Sequence, residues 1–310
     1  MKLSNQTLNW LERDLKCKVI NVEPLLGGTS SRLWLLTAHQ GGEISQIALR
    51  EYTDLEWLAV EPEIAEQEAR NLLSARHLSF AVPVLLAADP YAFKTTYPTV
   101  AMSYIAGDVV LDPADRANWI EKLAETLAQL HTNEIDVPYE YIRYFDPVTE
   151  VKAVWSTCPE LWKQAFDYLN QKKQPESNPI FIHRDFHPTN VLFKDKNISG
   201  VVDWSNACMG PREVDVAHCR WNLTMLYGLN VADEFLEAYL KYSTLQKYDP
   251  YWDLEALGNV YTEEPPAVYA GWKAFGKTNI TAALMRERMD AFLVQALEKI
   301  KNDPKEIQQL

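Results

Sequence analysis

The sequence predicts an α+β protein of two lobes, a small sheet-rich one over residues 1–104 and a larger, mainly helical one over residues 109–310, joined by a short hinge at 105–108. Three observations carry this. Short apolar, β-branched and aromatic runs separated by Gly turns fill the first third. The texture changes after Ile105-Ala106-Gly107-Asp108, beyond which most segments show helical spacing. The composition, 47% apolar and 24% charged over 310 residues, is that of a chain able to build ordinary hydrophobic cores.

Taken in order, Val19–Leu26 and Leu33–Thr37 suit strands, and Gly27-Gly28-Thr29-Ser30-Ser31 between them supplies a turn that φ > 0 residues make possible. Gly41-Gly42 makes a second turn before a strand near Gln46–Tyr52. Val60–His77 has helical spacing, with Ile64, Ala65, Leu72 and Leu73 on one face and Glu61, Glu63, Glu66 and Glu68 mostly elsewhere. Short strands fit Val84–Ala88 and Thr99–Tyr104. Past the hinge, Asp112-Pro113 reads as an N-cap followed by Pro at the first helical position, opening a helix to about His131. Further helices are expected over Pro159–Gln171, Glu213–Tyr227, Val231–Tyr242, Pro266–Phe275 and Thr281–Ile300. Phe181–Trp204 is the exception, alternating short apolar runs with polar loops and a hairpin around Lys194–Gly200.

Several classes are excluded. No uncharged apolar run approaches the ~18 residues of a membrane helix, and the start MKLSNQTLNWLERDLK has no apolar core of a signal peptide. A cytoplasmic setting without a membrane partner is expected. Cys17, Cys158, Cys208 and Cys219 form no CxxC pair and are expected as buried free thiols, with neither a zinc site nor a disulfide set. The net charge of −13 disfavours a nucleic-acid partner, which needs basic surface. Residues 1–107 carry 9 basic and 12 acidic side chains, and residues 108–310 carry 21 and 31, so the helical lobe holds most of the negative charge. Nothing in the sequence sets the oligomeric state.

The densest polar cluster in an apolar setting is Phe181-Ile182-His183-Arg184-Asp185-Phe186-His187-Pro188-Thr189-Asn190-Val191-Leu192-Phe193, followed by Val201-Val202-Asp203-Trp204. A lone Asp after a strand is usually a turn or cap, and a lone His a satisfied core residue. As a group, these polar residues are costly to bury unless they bond one another or a ligand. The chemistry that uses such a set is phosphoryl transfer. It needs a carboxylate to orient an attacking hydroxyl and hard oxygen ligands for a Mg²⁺ ion that bridges nucleotide phosphates.

HRDFHPTN followed by VVDW resembles the aminoglycoside phosphotransferase and choline kinase-like family, whose pattern is His-Gly-Asp-x-His-x-x-Asn and then Ile/Val-Asp-Trp. The resemblance spans roughly residues 20–225 and implies the bilobal protein-kinase-like fold. It implies a Mg²⁺-dependent kinase that moves the γ-phosphate of ATP or GTP to a hydroxyl of a small-molecule acceptor. Asp185 would be the catalytic base, Asn190 and Asp203 the magnesium ligands, and His183 and His187 braces of the loop. Arg184 departs from the family's Gly. Gly210–Ala217 resembles the segment after Asp-Trp, with Asp215 a buried anchor of the catalytic loop, and His131 would pack beneath it.

In the small lobe, Gly27, Gly28, Thr29 and Ser30 resemble the family's phosphate-covering turn. Ile47-Ala48-Leu49-Arg50 stands where the kinase fold places Val-Ala-Ile-Lys, so Arg50 would meet the phosphates and Glu68 would be its ion-pair partner. Ser103 and Ile105 would present the hinge backbone to the adenine.

Two other readings stand beside this one. An inactive kinase-fold scaffold or regulator would typically have lost an aspartate or the Asn, and none is missing. A protein kinase needs a long activation segment, for which residues 204–217 leave no room. The acceptor is expected to be bound by the helical segments after Asp203, with Asp233, Glu237, Glu263, Glu264, Tyr261, Tyr269 and Trp272 as candidates. The charge of the helical lobe favours an amine-bearing acceptor, such as an aminoglycoside, a macrolide or an amino alcohol.

Overall fold

A computed structural model describes residues 2–28 and 31–302; Thr29 and Ser30 of the glycine turn lie outside the described residues. The chain begins with helix α1 (Asn5–Leu15), then β1 (Lys18–Pro24), β2 (Ser31–Gln40), β3 (Glu43–Tyr52), α2 (Leu55–Val60), α3 (Ile64–Ala75), β4 (Leu85–Asp89) and β5 (Thr99–Ser103). The five strands form one antiparallel sheet in the order β1-β2-β3-β5-β4.

Two corrections arise here. Among the described residues, the first third holds three helices where the sequence reading expects one. Helix α1 is capped by Ser4, whose hydroxyl accepts from the Thr7 N–H at 3.1 Å, and it buries Thr7, Trp10 and Leu11 at i, i+3 and i+4. The segment expected as one helix from Val60 is broken at Pro62, which has no N–H to donate and forces Glu61 out of helical geometry (φ −123°, ψ 71°).

Alternation along β3 decides what reaches the cleft. Trp10, Leu11, Trp34, Leu36, Ile47 and Leu49 form one core cluster on the α1 side of the sheet. Arg50 follows Leu49 and so points to the opposite face, where Tyr52, Val100 and Met102 pack with Ile64, Ala65 and Leu72 of α3.

The chain then joins a second sheet. β6 (Asp108–Val109) is followed by α4 (Arg116–Leu130), α5 (Pro159–Gln171), β7 (Ile180–Ile182), β8 (Val191–Lys194), β9 (Asn197–Val201) and β10 (Cys208–Gly210). Strands β6, β8 and β9 pair in that order, and β10 pairs with β7. Helix α4 starts later than Asp112 would place it. Its cap is Asp115, which accepts from the Asn118 N–H at 3.1 Å, while the Asp112 carboxylate is taken by Lys277.

The rest is α6 (Arg212–Tyr227), α7 (Leu229–Tyr242), α8 (Tyr251–Val260), α9 (Ala270–Ala274) and α10 (Ala282–Lys301). Helix α8 was not foreseen, and α9 is shorter than the expected Pro266–Phe275. Helix α6 is almost wholly buried, and its fully buried Arg220 ties three helices together. The guanidinium binds both oxygens of Asp253 on α8 (3.0 and 3.1 Å) and one oxygen of Asp233 on α7 (3.1 Å). No helix among the described residues is long and apolar enough to cross a membrane, and the four cysteines are free.

Candidate active site

The loop between β7 and β8 is held from below by Asp215 of α6. Its fully buried carboxylate accepts from the His183 N–H at 2.8 Å and the Arg184 N–H at 2.5 Å, and it meets His131 Nε2 at 3.1 Å. The His183 ring sits between two backbone groups. Nδ1 accepts from the Asp185 N–H at 3.3 Å, so Nε2 is the nitrogen that donates to Val202 O at 2.9 Å. These bonds clamp the loop to the strand end that carries Asp203.

Arg184 has φ +65°, a left-handed conformation that costs a side-chain-bearing residue and suits Gly. Its guanidinium lies over the rings of Tyr144 (4.0 Å) and Tyr141 (5.1 Å) and donates to Ile142 O. Those contacts offset part of the strain.

Asp185 is bonded on both oxygens. Oδ2 accepts from Asn190 Nδ2 at 3.0 Å, and Oδ1 lies 3.0 Å from His218 Nε2 and 3.4 Å from His187 Nε2. Burial pushes the Asp185 carboxyl up, but the His187 and His218 imidazoles outweigh it and hold it well below the usual carboxylate range. Burial also drives His187 down to about 4, against the pull of Asp185, so its ring is neutral near pH 7. The Asn190 amide is oriented by its network. Nδ2 donates to both Asp185 O (2.9 Å) and Asp185 Oδ2, so the amide oxygen is left for other partners.

On the other side of the cleft, Arg50 Nη1 lies 3.0 Å from Glu68 Oε1 and 2.7 Å from Asp203 Oδ1. Tyr52 donates to the second Glu68 oxygen at 2.8 Å. Burial raises the Glu68 carboxyl against the pull of Arg50. Asp203 is pushed up by burial too but is held low by Arg50. Asp203 itself has φ +68° and also takes the Ser205 hydroxyl at 3.0 Å.

Two groups of cavities flank Asp185. A cavity of about 400 Å³ is lined by Gly27, Arg50, Ser103, Ile105, Asn190 and Asp203, with Ala48, Met102, Leu192 and Val202 among its apolar walls. Gly28 is needed for the turn above it, since a Cβ there would lie 2.2 Å from Ser31 O. The Ser103 N–H is spent on Val84 O at 2.8 Å. Glu68 lies behind Arg50 rather than in the wall. On the other side, a cavity of about 180 Å³ is lined by Asp185, His218, Tyr141, Asn206, Trp252 and Glu255. It adjoins one of about 480 Å³, with Tyr144, Arg184 and Asn206 lining both.

The expected acceptor residues are corrected by this geometry. Asp233 is a structural partner of Arg220, Gln295 and Lys299. Glu237, Glu263 and Glu264 line neither cavity beside Asp185, Tyr261 packs on Trp162 and Phe166, and Trp272 is buried. Tyr269 lines the 400 Å³ cavity on the other side. The outer cavity instead takes Glu61 and Glu63 from the loop before α3, and Glu140. His218 was missed as well. One turn beyond Asp215 on α6, its i+3 spacing was the available signal.

Comparison with known proteins agrees with the fold. The fold and the loop together define a protein of the kinase-like phosphotransferase class. The model of the phosphotransferase enzyme family (APH) matches residues 21–251, and the chain belongs to that family. A probable aminoglycoside 3'-phosphotransferase of Lactococcus lactis subsp. lactis (strain IL1403) is 28% identical over 78 residues, 25% of this chain and 30% of that relative's length. The apoenzyme of macrolide 2'-phosphotransferase MphH from Brachybacterium faecium has a TM-score of 0.55 at 17% identity, covering 94% of this chain and 98% of its own. A thermostable mutant of aminoglycoside phosphotransferase APH(4)-Ia, in a ternary complex with AMP-PNP and hygromycin B, has a TM-score of 0.61 at 16% identity, covering 94% and 98%.

Proposed function

We propose that the protein transfers the γ-phosphate of ATP or GTP, with Mg²⁺, to a hydroxyl of a small amine-bearing molecule, with residues 1–104 and 109–310 as the two lobes and 105–108 as the hinge. One observation carries the reading. Asp185 lines the 180 Å³ cavity, and its hydrogen-bond partner Asn190 lines the 400 Å³ cavity on the other side, so a single carboxylate–amide pair joins two ligand spaces.

The residues facing the 400 Å³ cavity fit a metal–nucleotide. Arg50 lines it with Nε buried and without a hydrogen-bond partner, a donor that a phosphate oxygen would satisfy. The free amide oxygen of Asn190 and the carboxylate of Asp203 are hard donors suited to Mg²⁺. When bound, the metal would supply charge neutralisation across the phosphates. Gly27 and Gly28 shape the turn over the phosphates, Ser103 and Ile105 line the base end, and Glu68 holds Arg50 in place. Asp185, kept ionised by its imidazole neighbours, accepts or orients the acceptor hydroxyl proton from the opposite side.

The amine preference rests on the outer cavity. Its three carboxylates, Glu61, Glu63 and Glu140, face one cation, Arg184. An acceptor seated with its hydroxyl at Asp185 would place distal amines beside them. In a phosphoryl-transfer screen over hydroxyl compounds with ATP and GTP, amine-bearing acceptors are expected to show higher kcat/KM than neutral or acidic ones of similar size. Added salt should shrink that margin. A neutral sugar or hydroxy acid as best substrate would overturn it. Nucleotide binding without turnover of any compound would favour the scaffold reading.

Arg50 supplies a further prediction. Arg50→Ala should weaken nucleotide binding strongly and also destabilise the fold. It leaves Glu68 buried without its cation, a loss of about 3–5 kcal/mol. Arg50→Lys keeps a charge that one ammonium can share between Glu68 and Asp203, as Nη1 does, but loses the other guanidinium donors, Nε among them, so partial affinity is expected. Unchanged calorimetric affinity in a folded Ala variant would remove Arg50 from the site.

A further inference from the structure

The imidazoles of His187 and His218 converge on one oxygen of Asp185, Oδ1, from two different elements. Nε2 of His218 is 3.0 Å away and Nε2 of His187 is 3.4 Å away, and the three donor atoms all lie within 4.8 Å of one another. Four-coordinate Zn²⁺, with bonds of about 2.0–2.2 Å, holds its donors roughly 3.3 Å apart. Small side-chain rotations would bring this set to that spacing.

We propose that Asp185, His187 and His218 form a binding site for a divalent transition-metal ion of the zinc type, separate from the Mg²⁺ position, whose occupancy blocks the catalytic carboxylate.

Three features point to a cation there. The Thr189 hydroxyl lies 3.1 Å from His187 Nδ1 and can accept from an Nδ1–H, the tautomer that frees the Nε2 lone pair. His218 Nε2 is contested. Asn222 Nδ2, fixed as a donor by the His218 carbonyl at 3.1 Å, also lies 3.1 Å from this nitrogen, while the acceptor Asp185 Oδ1 lies at 3.0 Å. A proton on Nε2 meets the Asn222 N–H, and a bare Nε2 meets a carboxylate. A metal ion lets the bare lone pair and the carboxylate be ligands together. Finally, Asp185 and His218 line the 180 Å³ cavity, which leaves a fourth position for water.

Two imidazoles and one carboxylate favour Zn²⁺, Cu²⁺ or Ni²⁺ over Mg²⁺, which takes oxygen donors. The Asn190 amide oxygen and Asp203 form the opposite, all-oxygen set. Neutral imidazoles and an ionised carboxylate need no bound proton other than the Nδ1–H atoms. Any proton on a ring Nε2 leaves to Nδ1 or to solvent on ligation.

The site is tested on chelator-treated, nucleotide-free protein by calorimetric titration with Zn²⁺ and by visible absorption with Co²⁺. One saturable Zn²⁺ per chain is expected, with Co²⁺ bands of four- or five-coordinate intensity. His187→Ala and His218→Ala, each checked for fold by circular dichroism and paired with a Gln variant, should each weaken Zn²⁺ at least about 10-fold, since outer partners alone are worth 10–100-fold. Asp203→Asn should leave Zn²⁺ affinity unchanged. No saturable binding up to millimolar Zn²⁺, affinity that survives both His substitutions, or loss in the Asp203 variant would each overturn the proposal. The blocking effect rests on the phosphotransfer reading and is read separately, as Zn²⁺ inhibition competitive with acceptor and reversed by chelator. The titration contains no substrate, so it stands or falls without that reading.

Discussion

Asp185→Asn is expected to lower the rate of phosphate transfer by about 10²–10⁴-fold, the usual worth of a positioned general base, with little loss of nucleotide affinity. The substitution keeps the size of the side chain. It removes the charge that His187 and His218 stabilise, and it can present an N–H to Asn190 Nδ2 or to His218 Nε2 where each now meets an acceptor. The loop itself should persist, because it is clamped by Asp215 and by His183 rather than by the Asp185 carboxylate. Single-turnover rates with saturating Mg²⁺–nucleotide check this. Equal rates in the two proteins would place the base elsewhere or favour a scaffold.

Asp203→Ala is expected to abolish Mg²⁺–nucleotide turnover while the protein stays folded. A metal's charge stabilisation is worth several kcal/mol, on the order of 10³-fold or more in rate. The fold should survive because Arg50 keeps its second partner, Glu68, at 3.0 Å. Ala at φ +68° adds a backbone cost of about 1–2 kcal/mol that has nothing to do with metal. Asp203→Asn tolerates that conformation better and separates the two effects. Both variants should lose turnover, and only the Ala variant should also lose thermal stability. Turnover retained in a folded variant of either kind would sink the assignment.

The fold was legible where one periodicity ran uninterrupted. Helix α5 falls on the expected Pro159–Gln171, and the hairpin of β8 and β9 spans the expected Lys194–Gly200. Elsewhere, local signals competed. Asp112-Pro113 looks like a helix start, yet Asp115 makes the cap because Lys277, 165 residues away, takes the Asp112 carboxylate. Pro62 splits the helix of the small lobe, and its effect could have been read directly from the sequence. Helix α8 has Trp252, Leu254 and Leu257 buried together with Asp253 and Glu255, so it lacks the polar face that marks a surface helix.

The candidate site divides in the same way. His183, Asp185, Asn190 and Asp203 sit within one short stretch, and their order and spacing were readable because one loop, the 3₁₀ turn at Pro188–Asn190 and the hairpin that follows carry them in sequence. The residue types and their sequence spacing were enough to name phosphoryl transfer. Glu68 beside Arg50 was expected from the resemblance, but tertiary structure alone decided that Arg50 also reaches Asp203, 153 positions away, because that depends on how far β3 lies from the catalytic loop. It also decided that His218 joins Asp185, and that Glu61, Glu63 and Glu140 line the 480 Å³ cavity, while Asp233, Glu237, Glu263 and Glu264 line neither cavity beside Asp185. Net charge counts every carboxylate, but only packing determines which ones a ligand meets; Asp233 was given to Arg220 inside the protein, not to a substrate.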